Sequence, residues 1–472
     1  MSKVTDTTFM DVWSRKQEQL SFSWGENGET SITHDDGSRA SAIHSESPPL
    51  LTNLMEEIVD RRNMLLALRR VIGNKGNAGV DGMSVDELTT YLKSNWSAIK
   101  ELLLEGRYQP NPVKRVDIPK PGGGIRSLGI PTVLDRLIQQ SISQVLTPIY
   151  DPTFSDFSYG FRPNRSAHHA LEMARKYVEE GYRIVVDMDI EKFFDRVNHN
   201  KLMSLLAVRI GDKRLLKLIR RFLQSGMMFN GLVEARSDGT PQGGPLSPLL
   251  SNILLNELDK ELTGRGHRFC RYADDCNVYV KSMRAGHRVI ASLSRWLKSQ
   301  LFLHVNMKKS GVAPCHKRKF LGMRVVSVRK EKVIAIAPES LKRVKDKIRV
   351  ITRRNRGISL KQMLDELNTA MTGWVNYYRI AAIKSHLTAL DEWIRHRVRC
   401  FIWKQWKTWR NRVKQLLHLG IEPYLAYSTV KSNNGLWAMS KSTALNFALT
   451  NTKLAEYGLK SLLERYLLVN AC

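Results

Sequence analysis

Two groups of carboxylates carry the types and spacing needed for joint chemistry. In Phe269-Cys-Arg-Tyr-Ala-Asp-Asp-Cys-Asn-Val-Tyr-Val280, strand-like alternation on both sides of Ala-Asp-Asp predicts a hairpin with Asp274 and Asp275 at its tip. Adjacent carboxylates repel, and divalent cations relieve that repulsion. An oxygen-only donor set suits Mg²⁺, which keeps water and substrate phosphates as its other ligands. Asp35-Asp36, in a polar stretch without flanking strands, lacks such a frame. The second group lies in Arg183-Ile-Val-Val-Asp-Met-Asp-Ile190, where period two puts Val185, Asp187 and Asp189 on one face and Ile184, Val186, Met188 and Ile190 on the other. Placed beside the hairpin, Asp189 would join Asp274 and Asp275. Three carboxylates are the minimum for two divalent ions roughly 3.5 to 4 Å apart, one activating an attacking hydroxyl and one holding a leaving phosphate. Taken alone, either segment reads as a strand-end Asp capping a turn, and Asp187 and Asp195 are rivals to Asp189.

The elements that must position these groups belong to a 472-residue chain of ordinary globular composition, 42% hydrophobic and 25% charged, with room for roughly three domains. Lys plus Arg total 74 against 45 Asp plus Glu, a net of +29. Residues 1–50 hold four basic and eight acidic side chains, so the remainder carries +33. A body that basic calls for a polyanion, which makes nucleic acid the leading partner and predicts salt-dependent binding. The 1–50 segment, rich in Ser, Thr, Gly, Asp and Glu, is expected to be a flexible acidic leader, with Phe9, Trp13, Leu20 and Trp24 as possible docking points. Leu54, Ile58, Leu65, Leu68 and Val71 predict a helical stripe ending at Gly73, followed by another helix to about Leu104. Residues 113–131 read as two strands joined by a glycine turn, and 182–190 and 268–280 as further strands. Helices are expected at 133–146, 166–180, 200–224 and 248–262, the last with Ser247 as N-cap and Pro248 in the first turn. The mix is α+β. Residues 340–420 hold 19 Lys or Arg against five Asp or Glu and predict a basic helical bundle. Its longest helix carries an apolar stripe of Leu387, Leu390, Ile394, Val398 and Phe401, with Lys407, Arg410 and Lys414 on another face. Five scattered cysteines (Cys270, Cys276, Cys315, Cys400, Cys472) support neither a disulfide framework nor a structural zinc site. No window reaches the roughly 20 apolar residues of a membrane span and no signal peptide is evident, so a soluble cytoplasmic protein without a membrane partner is expected.

Tyr272-Ala-Asp-Asp275 resembles the active-site box of the reverse transcriptases encoded within bacterial group II introns. Ile118-Pro-Lys-Pro-Gly-Gly-Gly-Ile-Arg-Ser-Leu-Gly-Ile-Pro131, Tyr159-Gly-Phe-Arg-Pro163, Thr240-Pro-Gln-Gly-Gly-Pro-Leu-Ser-Pro248, Val305-Asn-Met-Lys-Lys-Ser310 and Phe320-Leu-Gly322 are similar to that family's other polymerase blocks, in their usual order. Residues 338–415, with Gly373-Trp374 and Tyr377-Tyr378, resemble its maturase thumb. The resemblance implies a right-hand polymerase. Residues 51–112 would be the N-terminal extension and start of the fingers, and 113–337 the fingers and a palm with an antiparallel sheet. An all-α thumb or maturase domain would span 338–415, and 416–472 would be a basic DNA-binding or capping segment. It implies two Mg²⁺ ions at Asp189, Asp274 and Asp275 and deoxynucleoside triphosphates (dNTP) as substrates. Lys120 and Arg126, three positions either side of Gly123, would present two cations to the triphosphate. Phe194, five residues after Asp189, matches the aromatic that excludes a 2′-hydroxyl, and this spacing favours Asp189 over its rivals. Gln242 matches a glutamine held against nucleotide and template. Lys309 resembles the lysine proposed to protonate the leaving pyrophosphate, with a solvated charge an equal reading. Arg162, Arg165, Lys407, Arg410 and Lys414 are expected to contact nucleic acid.

The implied activity is RNA-directed DNA synthesis together with binding of the group II intron RNA to promote splicing and mobility. Its partners would be that intron RNA, an RNA template with a DNA or RNA primer, and target DNA, and a homodimer is compatible with it. The paired cysteines and histidines of a C-terminal nuclease are missing beyond Leu416, where only His418 and Cys472 occur, so a form without that domain is expected. Two alternatives remain at this stage: an RNA-binding splicing cofactor without polymerase activity, and a reverse transcriptase repurposed for repair or phage defence.

Overall fold

A computed structural model describes residues 50–119, 123–229, 232–234, 238–240, 243–432 and 434–471, with the backbone alone for residues 126, 229 and 232–234. The acidic leader and its four apolar residues lie outside the described residues. The chain divides into two compact units between Pro314 and Cys315.

The first unit opens with helices α1 (Leu54–Ile58), α2 (Arg61–Gly73) and α3 (Leu88–Leu104). Asp60 accepts the amide hydrogens of Arg62 and Asn63 and so starts α2 afresh. This cap corrects the single stripe expected from Leu54 to Val71. The restarted helix takes its own phase and buries Met64, Ala67 and Val71, while Leu65 is exposed. Strands β1 (Val113–Pro119) and β2 (Ile125–Ile130) form the expected glycine hairpin, followed by α4 (Val133–Tyr150), α5 (Ala167–Glu179) and β3 (Ile184–Asp189). The helix expected over 200–224 is two, α6 (His199–Ala207) and α7 (Lys213–Gln224). Asp212 ends the first run by capping the second through the amides of Arg214 and Leu215. Its carboxylate also accepts the Met55 amide at 3.1 Å.

Two short strands had no sequence signal, β4 (Met227–Phe229) and β5 (Leu232–Glu234). They widen the hairpin into a four-stranded sheet of order β2-β1-β4-β5, with β1 and β4 parallel. Helix α8 (Ser247–Gly264) has Leu246 at its cap and Pro248 in its first turn, so Ser247 is its first residue rather than the expected N-cap. The hairpin β6 (Arg268–Tyr272) and β7 (Asp275–Val280), helix α9 (Met283–Trp296) and β8 (Gly311–Pro314) complete the unit. Here the sheet order is β6-β7-β3-β8, antiparallel throughout. Val186, Met188, Phe269 and Val278 from this sheet share one buried cluster with Leu254 and Leu258 of α8 and Leu293 of α9. Burial of those apolar faces holds the strands in a register that a one-residue slip would invert.

The second unit begins with the hairpin β9 (Met323–Val328) and β10 (Glu331–Ile336), paired antiparallel. Then come α10 (Pro338–Ile351), α11 (Leu360–Tyr378), α12 (Lys384–Gln405), α13 (Trp409–His418), α14 (Pro423–Lys431), α15 (Leu436–Met439), α16 (Thr443–Ala448), α17 (Asn451–Glu456) and α18 (Leu462–Ala471). Helix α12 buries Leu387, Leu390, Ile394, Val398 and Phe401 as the periodicity predicts. It does not continue to Lys414. Lys407 takes a left-handed φ of 48° and Thr408 caps α13 by accepting the Asn411 amide, which places Lys407 in the break. The architecture is therefore α+β, with helices alone following Pro338. Among the described residues no helix is long and apolar enough to cross a membrane.

Candidate active site

Asp189 ends β3 and Asp275 begins β7, and the two stand directly opposite each other in the antiparallel register. Directly opposed residues project from the same face of a sheet, with Cβ atoms about 4.5–5.5 Å apart. Tyr272 pairs with Asp275, leaving Ala273 and Asp274 as a two-residue turn. Two-residue hairpin turns demand positive φ, and Ala273 supplies it at 58°. Asp187, one of the rivals, faces Asn277 in mid-sheet, and Asp195 sits exposed in the short turn Phe193–Asp195.

On the other side of β3, the segment before β8 closes on Asp189. The Asp189 amide donates to Ser310 Oγ at 2.9 Å, and its carbonyl accepts the Asn306 amide at 2.8 Å. Lys309 Nζ lies 3.4 Å from Asp189 Oδ2. The donor set is oxygen-only and suits a hard divalent cation. Lys309 already holds a positive charge against the carboxylate such an ion would use. As they stand, no three His, Cys, Asp or Glu side chains among the described residues are gathered closely enough to hold a metal. The backbone register, rather than the present side-chain positions, brings the acidic groups to one place.

The turn is packed from behind by Tyr159-Gly-Phe-Arg-Pro163. The Tyr159 amide donates to the Arg271 carbonyl at 2.9 Å, and the rings of Phe161 and Tyr272 are 6.3 Å apart. Gly160 runs so close that a Cβ there would lie 2.3 Å from the Ala273 nitrogen. Arg162 corrects an expectation. It is 5% exposed, and its guanidinium donates to Asp151 Oδ1 at 2.8 Å and to the carbonyls of Asp151, Ser155 and Ser158. Those bonds fix the motif from inside and leave the side chain unavailable to a phosphate. Arg165 is at the surface, paired with Asp156 at 2.6 Å.

Of the residues expected to hold the nucleotide, Lys120 and Gln242 lie outside the described residues, as does the side chain of Arg126, whose backbone faces Ile118 across the β1–β2 ladder. Phe194 is half-buried and packs edge-on against Phe193, ring centroids 5.2 Å apart. Its carbonyl accepts the Thr240 amide at 2.6 Å. Gly243, at φ 131°, passes so near β2 that a Cβ would sit 2.6 Å from the Gly129 carbonyl oxygen. Thr240, two residues before Gln242, is thus bonded to Phe194, and Gly243, the residue after it, runs close against the β1–β2 hairpin.

Within the second unit, Gly322 lies against Tyr378, whose hydroxyl a Cβ would approach to 2.7 Å, and Tyr377 donates its hydroxyl hydrogen to the Leu321 carbonyl at 2.9 Å. The motif Phe320-Leu-Gly322 therefore packs with α11. Lys407, Arg410 and Lys414 are exposed, and Arg410 lies over the Trp409 ring.

Sequence reasoning missed Arg271 and Asp259, a fully buried ion pair at 2.6 Å directly behind the turn. The available signal was Asn252, Asn256 and Asp259 at i, i+4 and i+7, a polar row beside the leucines of that helix.

A strand-borne carboxylate opposite an Ala-Asp-Asp turn is the arrangement that the resemblance to reverse transcriptases implies. The reverse transcriptase (RNA-dependent DNA polymerase) family model matches residues 118–325, and the group II intron maturase-specific domain matches residues 341–420. The chain belongs to the group II intron-encoded reverse transcriptase and maturase family. It is 34% identical over 304 residues to protein YkfC of Escherichia coli (strain K12), an alignment covering 56% of this chain and 80% of that one. It is also 31% identical over 318 residues to the group II intron-encoded protein LtrA of Lactococcus lactis subsp. cremoris, covering 65% of this chain; it spans about half, 52%, of the length of LtrA. A chain of a solved partial Cas6-RT-Cas1–Cas2 complex is similar at 25% identity with a TM-score of 0.35, covering 52% of this chain and 43% of that one.

Proposed function

We propose that this chain extends a DNA or RNA primer by copying RNA into DNA, and that it also binds its group II intron RNA to promote splicing and mobility. The observation that carries the polymerase reading is the register of β3 and β7, which sets Asp189 opposite Asp275 beside Asp274. Asp189, Asp274 and Asp275 would hold two Mg²⁺ ions, which when bound supply an activated primer hydroxyl and charge stabilisation for the departing pyrophosphate.

The chain's own residues do the rest. Asp189 is fixed at both backbone polar groups by Asn306 and Ser310, which limits its wandering. In the free protein Lys309 neutralises Asp189, and its ammonium is available to donate a proton to the leaving group once the carboxylate is otherwise engaged. Lys120 and Arg126 are assigned to the triphosphate, Phe194 to the sugar and Gln242 to the base-paired nucleotide. The ties from Thr240 to Phe194 and from Gly243 to β2 support these assignments.

For RNA binding, the net charge of +29 and the exposed cations Lys407, Arg410 and Lys414, with the half-buried Arg165 as a further candidate, support a phosphate-contacting surface that reads shape rather than sequence. Residues 416–472 are assigned to target DNA or to capping the helices before them, in a cytoplasmic ribonucleoprotein; the bonds from Arg399 to the Leu449 carbonyl and from the Leu462 amide to Asp391 support the capping role. Primer extension on an intron-free RNA template tests the reading. Asp189→Ala, Asp274→Ala and Asp275→Ala should each abolish cDNA while intron RNA binding stays near wild type. Full cDNA synthesis by any of the three would remove the assignment.

A further inference from the structure

The Ala-Asp-Asp turn is held in an unfavourable backbone conformation by side chains that no part of the proposed chemistry uses. Ala273 occupies the left-handed region at φ 58°, where a Cβ crowds the carbonyl and glycine is the favoured residue. Such a conformation persists when its surroundings over-determine it. Here the surroundings are Arg271, fully buried on β6. A guanidinium has five N–H donors in a rigid fork, and all five are engaged. Nε and one Nη2 hydrogen grip Asp259 at 2.7 and 2.6 Å, the other Nη2 hydrogen reaches Ser158 Oγ at 2.7 Å, and Nη1 donates to Asn252 Oδ1 at 3.0 Å and to the Ala273 carbonyl at 2.9 Å. Asn252 in turn donates to the Gly160 carbonyl at 2.8 Å. The cradle thus joins α8, the segment before α5 and the turn itself, where it grips the peptide that leads into Asp274.

We propose that Arg271, held by Asp259, is a positioning residue: it locks the Ala273–Asp274 peptide and so fixes the backbone from which the carboxylates of Asp274 and Asp275 can close with Asp189 on a divalent ion. This rests on the reading of those three aspartates as the metal-binding group. A buried ion pair retained for stability alone would account for Asp259, but it would not need the donor aimed at the Ala273 carbonyl. Lysine retains the charge for Asp259 but has three donors in place of five, so it gives up at least two of these bonds and the fixed fork that aims one at the turn.

The test uses the full-length protein with Mn²⁺ as the probe, its affinity measured by titration calorimetry without nucleotide, alongside thermal melting, intron RNA binding, and the Mg²⁺ concentration for half-maximal cDNA synthesis. Arg271→Lys should weaken Mn²⁺ binding about tenfold and raise the Mg²⁺ requirement to match, with the KM for nucleotide and RNA binding unchanged. Ser158→Ala, which removes one outer partner, should give a smaller shift in the same direction and decides the matter should Arg271→Lys not fold. Metal affinity equal to wild type in the folded variants, whatever happens to the melting temperature, would overturn the positioning role. Asp274→Ala is run in parallel. If that variant still binds Mn²⁺ and makes cDNA, the reading of the site itself fails. If it does neither while Arg271→Lys and Ser158→Ala bind Mn²⁺ normally, only the positioning role fails.

Discussion

Replacing Gly160 with alanine should disable DNA synthesis although residue 160 carries no reactive group. The added Cβ would stand 2.3 Å from the Ala273 nitrogen, 3.0 Å from the Tyr272 carbonyl carbon and 3.2 Å from the Ala273 Cα, all of them backbone atoms. Ordinary contact begins near 3.4 Å, so the turn must retreat by roughly 1 Å. Gly160 has no positive φ, so the whole cost is steric. Overpacking of this kind costs about 1–3 kcal/mol of stability. A displacement of about 1 Å in a catalytic group lowers rate up to about 10²-fold. The assay is single-nucleotide primer extension at saturating nucleotide, with chemical denaturation of the same preparation. Gly264→Ala, where a Cβ meets nothing within 4 Å, is the control and should fall within about 0.5 kcal/mol of wild type at full rate. Wild-type rate and stability in Gly160→Ala would show that the turn does not depend on this contact.

Arg162→Ala should destabilise by about 3–5 kcal/mol by removing the buried partner of Asp151 and one donor from each of the Asp151, Ser155 and Ser158 carbonyls, while folded protein keeps its intron RNA affinity. A weakened RNA complex at unchanged stability, read by filter binding and denaturation, would restore Arg162 as a contact residue. Phe194→Ala should admit ribonucleotides, seen as a fall in the ratio of kcat/KM for deoxy over ribo substrate; an unchanged ratio removes that assignment. Burial pushes the Asp135 carboxyl up to about 6 despite hydrogen bonds from Thr132, Tyr108 and Asn111. The folded state therefore binds this proton more tightly than the unfolded chain. The group's contribution is most favourable below its ordinary value near 3.8 and is lost as pH rises through about 6, a swing of roughly 3 kcal/mol at most. Denaturation midpoints should accordingly rise between pH 7 and pH 5, and Asp135→Asn should flatten that part of the profile; an unaltered slope would dissociate it from Asp135.

The strands bearing the aspartates were legible because period-two alternation is a local signal and the Ala-Asp-Asp turn interrupts it at one point. The spatial pairing of Asp189 with Asp275 followed only from the requirement of convergence, since nothing local specifies which strand lies beside which. Helix breaks were harder to see. Asp60, Asp212 and Thr408 each accept backbone amides and restart a helix, and in each case an apolar or basic pattern continues across the break. Arg162 was misread and Arg271 missed for a related reason: both sit in a strongly basic chain, where a cation reads as solvent-facing. Their acidic partners Asp151 and Asp259 are 11 and 12 positions away, and the fold rather than the local pattern brings them into contact. Strands β4 and β5 are three residues each, too short to show a period.

The most direct measurement of the central claim is the number of Mn²⁺ ions bound by the protein with primer, template and a non-reactive nucleotide, counted by electron paramagnetic resonance. Wild type should bind two with the spin coupling of neighbouring ions, and Asp189→Ala should lose at least one along with the coupling. Two coupled ions in Asp189→Ala would show that Asp189 and the Asp274-Asp275 pair do not share a metal site.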